Sequence, residues 1–501
     1  MKNLVKYSVV VLLGAQLVVS CKNFLEVSPK GTMLESNYYR NQSEAYNGLV
    51  AVYDVLGWQG NGYVSKIPAA NSASDDHYAG GGSSTDINAF QVWSNYTLNA
   101  ANGPQEELWR KGYSGIFRAN VLLSKLDGVP MDAGLKSRYA AEAKALRAFF
   151  YFDLVRLFRN IPLLLTAVET SQLYNVEQST PAAVYAQIEK DLNEAIPALP
   201  VTVALATEGG RLSQGAAKAI LGKVLLQQEK FAAAAAAFQD VNGTPGTTSQ
   251  YGYRLLANFA DLWNVNNKFN TESIIELSAT TTSAGDWGCA ACTEGNHMNI
   301  LVGPRGYKPG ANAPDYVSGW SFNPVTKSLF DAIHFDPRNK ATIANLDSLK
   351  AVGAADYEPG YMNTGYFLEK FAGREKNKTT GAGAKELNFG QNMYEIRLAD
   401  TYLMEAEALL RAGTPNTRAA ALFNAVRARV GLNPLPLNMD NLMNERRLEL
   451  AGEGHRWFDL VRTGRAPAVL GARGFIAGKH EVLPIPLREL ENTKLKQNPN
   501  Y

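Results

Sequence analysis

The sequence predicts a mainly α-helical protein, with about four tetratricopeptide-like helical hairpins forming a scaffold for a loop-rich irregular region that contains small β elements. Several long segments place apolar residues at helical spacing. One predicted helix pair carries Gly222, Ala234 and Phe238 at the relative offsets of the small and aromatic positions of a tetratricopeptide repeat. Residues 251–390 differ in composition from these segments, because they are rich in Gly, Asn, Thr and aromatic residues.

The composition suits a large hydrophobic core and argues against nucleic-acid binding. The 501 residues are 46% hydrophobic and 19% charged, and the formal net charge is only +2. The sequence has no basic tract that would bind phosphates. Several of the 23 Tyr and 7 Trp fall in polar, glycine-rich stretches, which is the first indication of a binding surface.

The N-terminus has the features of a secretion leader. Lys2 and Lys6 precede an apolar run over residues 9–19, which is too short to span a bilayer well. Cys21 directly follows Leu-Val-Val-Ser, which resembles a bacterial lipobox, where cleavage before the cysteine leaves it free for acylation. We therefore expect residues 1–20 to be a signal peptide and the mature protein to be anchored by acyl chains on Cys21.

The predicted helices follow one another in the N-terminal half. Between the first two lies a stretch thick with Gly, Asn and Ser, residues 59–104, which is predicted to be a functional loop insertion. A proline suits the first turn of the helix that begins at residue 181. The predicted helices cover residues 43–58, 105–127, 136–159, 181–196 and, as a pair, 213–241.

A second repeat-like unit is predicted near the C-terminus, over residues 397–430. Ala406 takes the small position of its first helix. Ala419 and Phe423 reproduce the Ala-x-x-x-Phe spacing of the first unit. With the two earlier helix pairs as companions, the units number about four.

The irregular region between the two units is expected to supply the ligand side. Short β-like runs at residues 273–277 and 366–370 interrupt its loops. We accordingly divide the mature chain into an N-terminal helical region over residues 21–250, the loop-rich region over 251–390 and a C-terminal helical region over 391–501.

Cys289 and Cys292 form a CAAC motif in a loop rich in Gly, Ala and Thr. Outside the cytoplasm a local disulfide is the favoured interpretation, ahead of free thiols. A metal site ranks third, because the pair supplies two ligands and His297 could add only one more. A thioredoxin-type redox site would need a strand-to-helix context that is absent from this stretch.

Residues 444–465, NERRLELAGEGHRWFDLVRTGR, are dense in Arg and Glu and also carry large apolar residues. Glu445, Glu449 and Glu453 recur every four residues, so a helix would align them on one face. An enzyme would use such carboxylates as acid and base, but no metal motif or nucleophile accompanies them in the sequence. We therefore interpret the segment as a packed ion network joining the last helices, with Trp457 in the core.

A series of blocks along nearly the whole chain carries a family resemblance. In order they are CKNFLEVSPKG, LWRKGYSGIFRAN, AEAKALRAFFYFDLVRLF, NIPLL, SIIELS, FNPVTKSLFDAIHFDPR, YEIRLADTYLMEAEALL, LFNAVRARVGL, ERRLELAGEGHRWFDLVRTG and LPIPLRELENTKLKQNPNY. Their order and spacing resemble the SusD/RagB family of Bacteroidetes outer-membrane lipoproteins.

The resemblance implies a largely α-helical, non-catalytic binding protein without a cofactor. Members of the family cap a SusC-like TonB-dependent barrel and help to capture oligosaccharides for import, with the tetratricopeptide side facing the transporter. The implied partners of this chain are therefore a glycan ligand, a SusC-like transporter and the outer membrane through a lipid anchor. A nucleic-acid partner is not expected.

Sugars expose C–H faces that stack on aromatic rings and hydroxyls that bond to Asp, Asn and Arg side chains. Two loop clusters combine these residue types. Trp93 is an ambiguous candidate, because VWSNY alternates like a buried strand, and Cys289 could pin Trp287 in place. The candidates are Asp75, Asp76, His77, Tyr78, Trp93 and Tyr96 in the first cluster, and Trp287, Arg305, Tyr307 and Trp320 in the second.

Two other functions compete with glycan capture. A surface receptor for peptides or another nutrient fits the RagB branch of the family, since aromatic residues also bind peptides. A surface glycosidase would need two carboxylates at a defined separation across a cleft. Asp75 and Asp76 are adjacent in sequence, which does not indicate an opposed acid and base, and one carboxylate pair is also too few ligands for calcium. Glycan capture is therefore the first choice.

Overall fold

The computed structural model describes residues 38–59, 62–379, 381–413 and 417–501. The predicted signal peptide and Cys21 lie outside these ranges. The α-helices are α1 (Gln42–Gly57), α2 (Lys66–Ala73), α3 (Asn88–Ser94), α4 (Gln105–Leu126), α5 (Ala133–Phe158), α6 (Pro181–Ala195), α7 (Leu205–Glu208), α8 (Gln214–Gln227), α9 (Phe231–Asn242), α10 (Met298–Val302), α11 (Lys327–Ile333), α12 (Asn339–Thr342), α13 (Leu346–Ala351), α14 (Leu398–Arg411), α15 (Thr417–Arg429), α16 (Met439–Glu449), α17 (Arg456–Arg462), α18 (Ala466–Leu470) and α19 (Leu487–Leu490). Short 3-10 helices span Thr170–Asn175, Ile196–Ala198, Phe259–Trp263, Trp287–Cys292, Glu369–Phe371, Glu375–Asn377 and Gly471–Arg473. The strands are β1 (Ile161–Pro162), β2 (Gln178–Ser179), β3 (Ser273–Leu277), β4 (Lys308–Pro309), β5 (Ile343–Asn345), β6 (Ala355–Asp356), β7 (Tyr366–Leu368) and β8 (Met393–Arg397).

The long helices pair into hairpins, and the hairpins stack on one another. The pairs are α1 with α4, α5 with α6, α8 with α9, and α14 with α15, while α4 contacts α5, α6 contacts α8, and α9 contacts α14. The predicted fold class, a scaffold of tetratricopeptide-like hairpins with a loop-rich region, is confirmed. One large hydrophobic core draws buried residues from Val52 through to Ile485 and joins the scaffold to the loops.

Packing at Gly222 explains the spacing of small and aromatic residues that predicts the repeats. A Cβ at this position would lie 2.6 Å from the ring of Phe238, far closer than side chains pack. Phe238 and Ala234 are fully buried, as are Ala406 and Phe423 of the second unit. Glycine on α8 therefore lets α9 approach until the phenylalanine fills the space between the two helices.

The composition of the segment 59–104 predicts one long loop. The described part of this segment does not form one. It contains α2 and α3, and every residue of α2 is buried. α2 contacts α17. Asn71 of α2 donates from Nδ2 to the Gly452 carbonyl at 2.7 Å and accepts at Oδ1 from the Gly454 amide at 3.0 Å. The Ala, Ser and Asn side chains of α2 show no apolar periodicity, so the pattern does not separate this buried helix from a loop.

The short strands link parts of the loop-rich region and tie it to the helices. β3 pairs with β8, β5 with β7, β4 with β6, and β1 with β2, all antiparallel. The β-like runs predicted at 273–277 and 366–370 correspond to β3 and to β7. β8 leads directly into α14, so the β3–β8 pair anchors the irregular region to the last hairpin.

The segment 444–465 lies in a buried network of charged side chains. Glu445 and Glu449 lie on α16, but the helix ends at Glu449, so the prediction that Glu453 continues the same helix face is wrong and Glu453 lies in the following turn. Arg397 is fully buried and contacts Glu449 at 2.5 Å and Glu453 at 2.8 Å. Burial by itself would raise the pKa of Glu449, but the guanidinium groups around it hold that pKa well below its usual value. The carboxylates therefore have the structural role that the ion-network interpretation predicts.

Trp457 anchors the same segment in the core. Its side chain is fully buried, and its ring centroid lies 5.2 Å from that of Trp93 and 5.0 Å from that of Phe458. We expect Trp457→Ala to lower the free energy of unfolding by about 3 kcal/mol, because apolar contacts are lost and a cavity remains. Urea unfolding measures this change. Phe335→Ala, at a side chain that is 93% exposed, is the control and should change stability by less than about 0.5 kcal/mol.

A Trp457→Ala protein that kept its full stability and lost only its ligand would contradict this structural role.

Candidate ligand-binding site

Trp320 lies on a segment that main-chain hydrogen bonds hold in place. Its amide donates to the Ile300 carbonyl at 2.9 Å, and the Gly319 amide donates to the Pro304 carbonyl at 2.8 Å. A Cβ on Gly319 would lie 2.4 Å from the Cα of Gly303, so only glycine allows the two chain segments to approach this closely. The indole of Trp320 is therefore carried by a backbone with little freedom.

Trp320 is the middle ring of three. Its ring centroid lies 6.1 Å from that of Tyr63, with 29° between the ring planes, and 5.8 Å from that of Trp287, with 35° between the planes. Tyr63 is 43% exposed and Trp287 is 49% exposed, while Trp320 is partly buried. We call Tyr63, Trp320 and Trp287 the aromatic row. The row therefore gathers three aromatic rings at one place, two of them well exposed, and an exposed ring face is a surface on which the apolar face of a ligand can stack.

The Tyr63 end of the row is held by a buried histidine. The Gly62 amide donates to Nδ1 of His297 at 3.0 Å, and Nε2 of His297 lies 2.7 Å from Oγ1 of Thr293. Because Nδ1 accepts, the neutral ring carries its proton on Nε2 and donates to Thr293. Burial lowers the pKa of His297 to about 4, so this link stays neutral and intact around pH 7.

Polar side chains lie beside the row. Nη2 of Arg305 donates to the Trp320 carbonyl at 3.2 Å and lies 3.7 Å from Oδ2 of Asp86. Oδ2 of Asp86 also accepts from the Gly82 amide at 2.7 Å. Both side chains are about a third exposed. A guanidinium and a carboxylate next to an aromatic surface supply the donors and acceptors that ligand hydroxyls require.

Trp287 is carried by a short turn that a disulfide closes. The turn, Trp287–Cys292, contains both cysteines of the CAAC motif, and Cys289 and Cys292 are joined with their Cα atoms 5.2 Å apart. This is the pairing that the sequence analysis favours. In the described part of the chain, no group of three or more His, Cys, Asp or Glu side chains could hold a metal ion.

The acidic residues of the first predicted cluster are occupied by ion pairs, which corrects their assignment as ligand contacts. Asp76 is only 1% exposed and pairs with Arg447 at 2.6 Å. Asp75 pairs with Arg456, with Nε and Oδ1 2.8 Å apart. Both arginines belong to the segment 444–465, so these carboxylates fasten the end of α2 to that segment.

The aromatic residues of the first cluster are also engaged within the protein. Trp93 is 1% exposed and lies on α3, a helix where the alternating pattern indicated a strand. Tyr96 is buried, and its hydroxyl donates to the Ala73 carbonyl at 2.5 Å. Tyr78 is partly buried, with the guanidinium of Arg473 5.5 Å from its ring centroid. Neither Trp93 nor Tyr96 has a face on which a ligand could stack.

The second predicted cluster is brought together, except for one residue. Trp287, Trp320 and Arg305 lie side by side in the site described above. Tyr307 is buried instead, and its hydroxyl donates to the Pro314 carbonyl at 2.8 Å. It therefore supports the loop and is not exposed to a ligand.

The sequence analysis missed two residues of the site, Tyr63 and Asp86. Tyr63 follows Gly-Asn-Gly within the polar stretch 59–104. Trp287 stands out in the sequence because a glycine lies next to it. Tyr63 also has a glycine next to it, so the same criterion would have identified Tyr63. Asp86 had no comparable signal, because an aspartate in a Gly/Ser/Thr loop is common.

Comparison with known proteins identifies the family. A family model described as "SusD family" matches residues 303–501, and one described as "Starch-binding associating with outer membrane" matches residues 23–226. The solved structure of a laminarin binding SusD-like protein is 54% identical in sequence, with a TM-score of 0.90, and the match covers 92% of this chain and 100% of that one. The chain belongs to the SusD family.

Other SusD-like proteins match over similar lengths. Surface glycan-binding protein A from Bacteroides thetaiotaomicron, solved in complex with laminarihexaose, is 27% identical with a TM-score of 0.82, over 92% of this chain and 100% of that one. A SusD-like protein from Formosa agariphila is 27% identical over 98% of each chain. The SusD fold is thus shared along nearly the whole length. Among the described helices of this SusD-family chain, none is both long and apolar enough to cross a bilayer.

Proposed function

We propose that this SusD-family protein binds a glucan of the laminarin type on the aromatic row. The observation that carries the proposal is the row itself, in which the Trp320 ring centroid lies 6.1 Å from that of Tyr63 and 5.8 Å from that of Trp287, and the two outer rings are exposed to solvent. Successive sugars of one chain can stack their C–H faces on successive rings. Arg305 and Asp86 lie where they can bond to the hydroxyls at the edges of those sugars.

The relatives support the same ligand class. The solved structure that is 54% identical is named a laminarin binding protein, and a more distant relative was solved with laminarihexaose. Both are similar to this chain over nine-tenths of its length. A glucan ligand also agrees with the small net charge of +2, because a neutral polymer needs no charged surface to attract it.

We further propose that the protein is held at the outer surface of the outer membrane and passes its ligand to a SusC-like TonB-dependent transporter. The lipobox-like sequence before Cys21 supports acylation at that residue. The family description that associates its members with the outer membrane agrees with this location. The helical hairpins, which lie outside the loops of the aromatic row, are the surface proposed to face the transporter.

We propose that the protein binds its glycan without cleaving it. A glycosidase places two carboxylates on opposite sides of the bond that it cleaves. Asp75 and Asp76, the adjacent carboxylates considered as an acid and base pair, are both paired with arginines of the segment 444–465. Asp86 beside the row is engaged with Arg305 and the Gly82 amide, which suits a ligand contact.

Isothermal titration against a panel of ligands tests the function. The panel contains laminarin, soluble starch, a soluble β-1,4-glucan and a mixture of oligopeptides, and each mixture is afterwards assayed for new reducing ends. We expect measurable binding of laminarin, weaker or no binding of the others, and no release of reducing ends. Binding of peptides without any glycan, or hydrolysis of laminarin by the purified protein, would overturn the proposal.

A further inference from the structure

We propose that the Cys289–Cys292 disulfide positions Trp287 beside Trp320, so that the affinity of the aromatic row depends on this covalent bond. The inference rests on the proposed ligand-binding function of the row. It adds to that function a pair of positioning residues, which act on the ligand only through the ring of Trp287.

The described side chains of the turn that carries Trp287 are not packed into the core. Asp286, Trp287, Gly288, Cys289 and Cys292 are all exposed. Burial of apolar surface is what fixes most side chains in a fold, and here it contributes little on the turn itself. The middle ring differs, because the backbone that carries it is fixed by main-chain hydrogen bonds.

Both ends of the turn are held by contacts with the rest of the protein. The exposed residues between them therefore form a short loop whose ends are fixed. The Gly285 carbonyl accepts from the Ala384 amide at 3.1 Å and from Nδ2 of Asn388 at 3.0 Å. Thr293 is buried at the other end and lies in contact with His297. A Cβ on Gly285 would lie 2.7 Å from the Thr293 Cα, so the two ends touch at a distance that only glycine permits.

Hydrogen bonds within this exposed loop hold the conformation of its first half. Oδ1 of Asp286 accepts from the Gly288 amide at 2.8 Å, and the Asp286 carbonyl accepts from the Cys289 amide at 3.1 Å. Cys289 then interrupts the helical turn with φ −145° and ψ 78°. The disulfide spans this interruption and connects the half that carries Trp287 to the half that ends at the anchored Thr293. It is therefore a covalent restraint on the backbone that begins two residues after Trp287.

Without the disulfide, the turn that carries Trp287 would have to be ordered each time a ligand binds. Ordering a backbone residue or a side chain opposes binding, and a preorganised surface avoids that cost. We therefore expect loss of the disulfide to weaken ligand binding about tenfold. The protein is expected to keep the bond in place, because disulfides persist outside the cytoplasm.

A double-mutant cycle with laminarin tests the inference. Four proteins are compared by isothermal titration: the wild type, Cys289→Ser/Cys292→Ser, Trp287→Ala, and the variant with all three substitutions. We expect the double serine variant to bind about tenfold more weakly with only a small change of the unfolding midpoint, since a disulfide that closes so short a loop restricts the unfolded chain less than one that closes a long loop. The triple variant should bind like Trp287→Ala alone, because the disulfide acts only through this ring. A reductant added to the wild type, which needs no substitution, should give the same weakening, and reoxidation should reverse it.

The possible outcomes separate this inference from the proposed function. If Trp287→Ala weakens binding while the serine variant and the reduced protein bind like the wild type, the positioning role is wrong and the aromatic row stands. If the triple variant binds more weakly than Trp287→Ala, the disulfide acts on more than this ring, and the positioning role is again wrong. If neither Trp287→Ala nor Trp320→Ala weakens binding, the proposed function itself fails.

Discussion

Replacing Trp320 with alanine is expected to weaken laminarin binding about 30-fold or more. Trp320 is the middle ring, and both Tyr63 and Trp287 are within 6.1 Å of it, so its loss divides the stacking surface into two separate rings. A central aromatic anchor typically contributes about 2 kcal/mol or more to binding, which corresponds to about 30-fold in Kd. Isothermal titration with laminarin measures the change.

Two control variants make this result specific. Trp320→Phe keeps a ring on the same rigid backbone and should retain most of the affinity. Tyr174→Ala removes an aromatic side chain that is 59% exposed but belongs to none of the loops that carry the row, and it should bind like the wild type. Unchanged affinity in Trp320→Ala would mean that the ligand binds elsewhere.

Arg397→Met is expected to lower the free energy of unfolding by about 4 kcal/mol, the range found when one partner of a buried ion pair is removed. The Arg397 side chain is fully buried and pairs with Glu272, Glu449 and Glu453 at 2.5 to 2.9 Å. Methionine fills a similar volume but leaves three buried carboxylates with less compensating charge. Urea unfolding measures the effect, and the affinity of the folded protein for laminarin should be unchanged.

Lys327→Met is the matched control for Arg397→Met. Lys327 pairs with Asp331 at 2.6 Å, but the two side chains are 78% and 56% exposed. Such an exposed pair contributes about 1 kcal/mol or less, so its loss should leave the urea midpoint nearly unchanged. Equal effects of the two variants would show that burial does not decide the contribution of the Arg397 network.

The helical hairpins could be predicted because their signal is local. The small residue at Gly222 and the ring of Phe238 lie on neighbouring helices joined by a short turn, so their spacing along the chain reports their contact in space. The helix α2 could not be predicted in the same way. Its side chains are buried by contacts that include α3 and α17, and since α17 lies almost 400 residues further along the chain, no local pattern reports this partner.

The candidate site could be predicted only in part for the same reason. The sequence singles out aromatic residues in polar, glycine-rich stretches as candidates, and Trp287 and Trp320 prove to be neighbours. The polar composition of the surrounding stretch did not distinguish them from Trp93 and Tyr96, which lie in the core. Whether an aromatic ring in a loop is buried depends on what packs over it from elsewhere in the fold.

The sequence by itself determined the family, the helical scaffold and the chemical class of the candidate ligand-binding residues, because each of these depends on residue types and on spacing along the chain. Only the tertiary structure decided which rings form the site. Tyr63, Trp287 and Trp320 come from three distant segments that are brought together by the Gly303–Gly319 contact, by His297 and by the ends of the disulfide turn. Their exposure and mutual orientation are properties of that assembly, since each depends on contacts between residues far apart in the sequence.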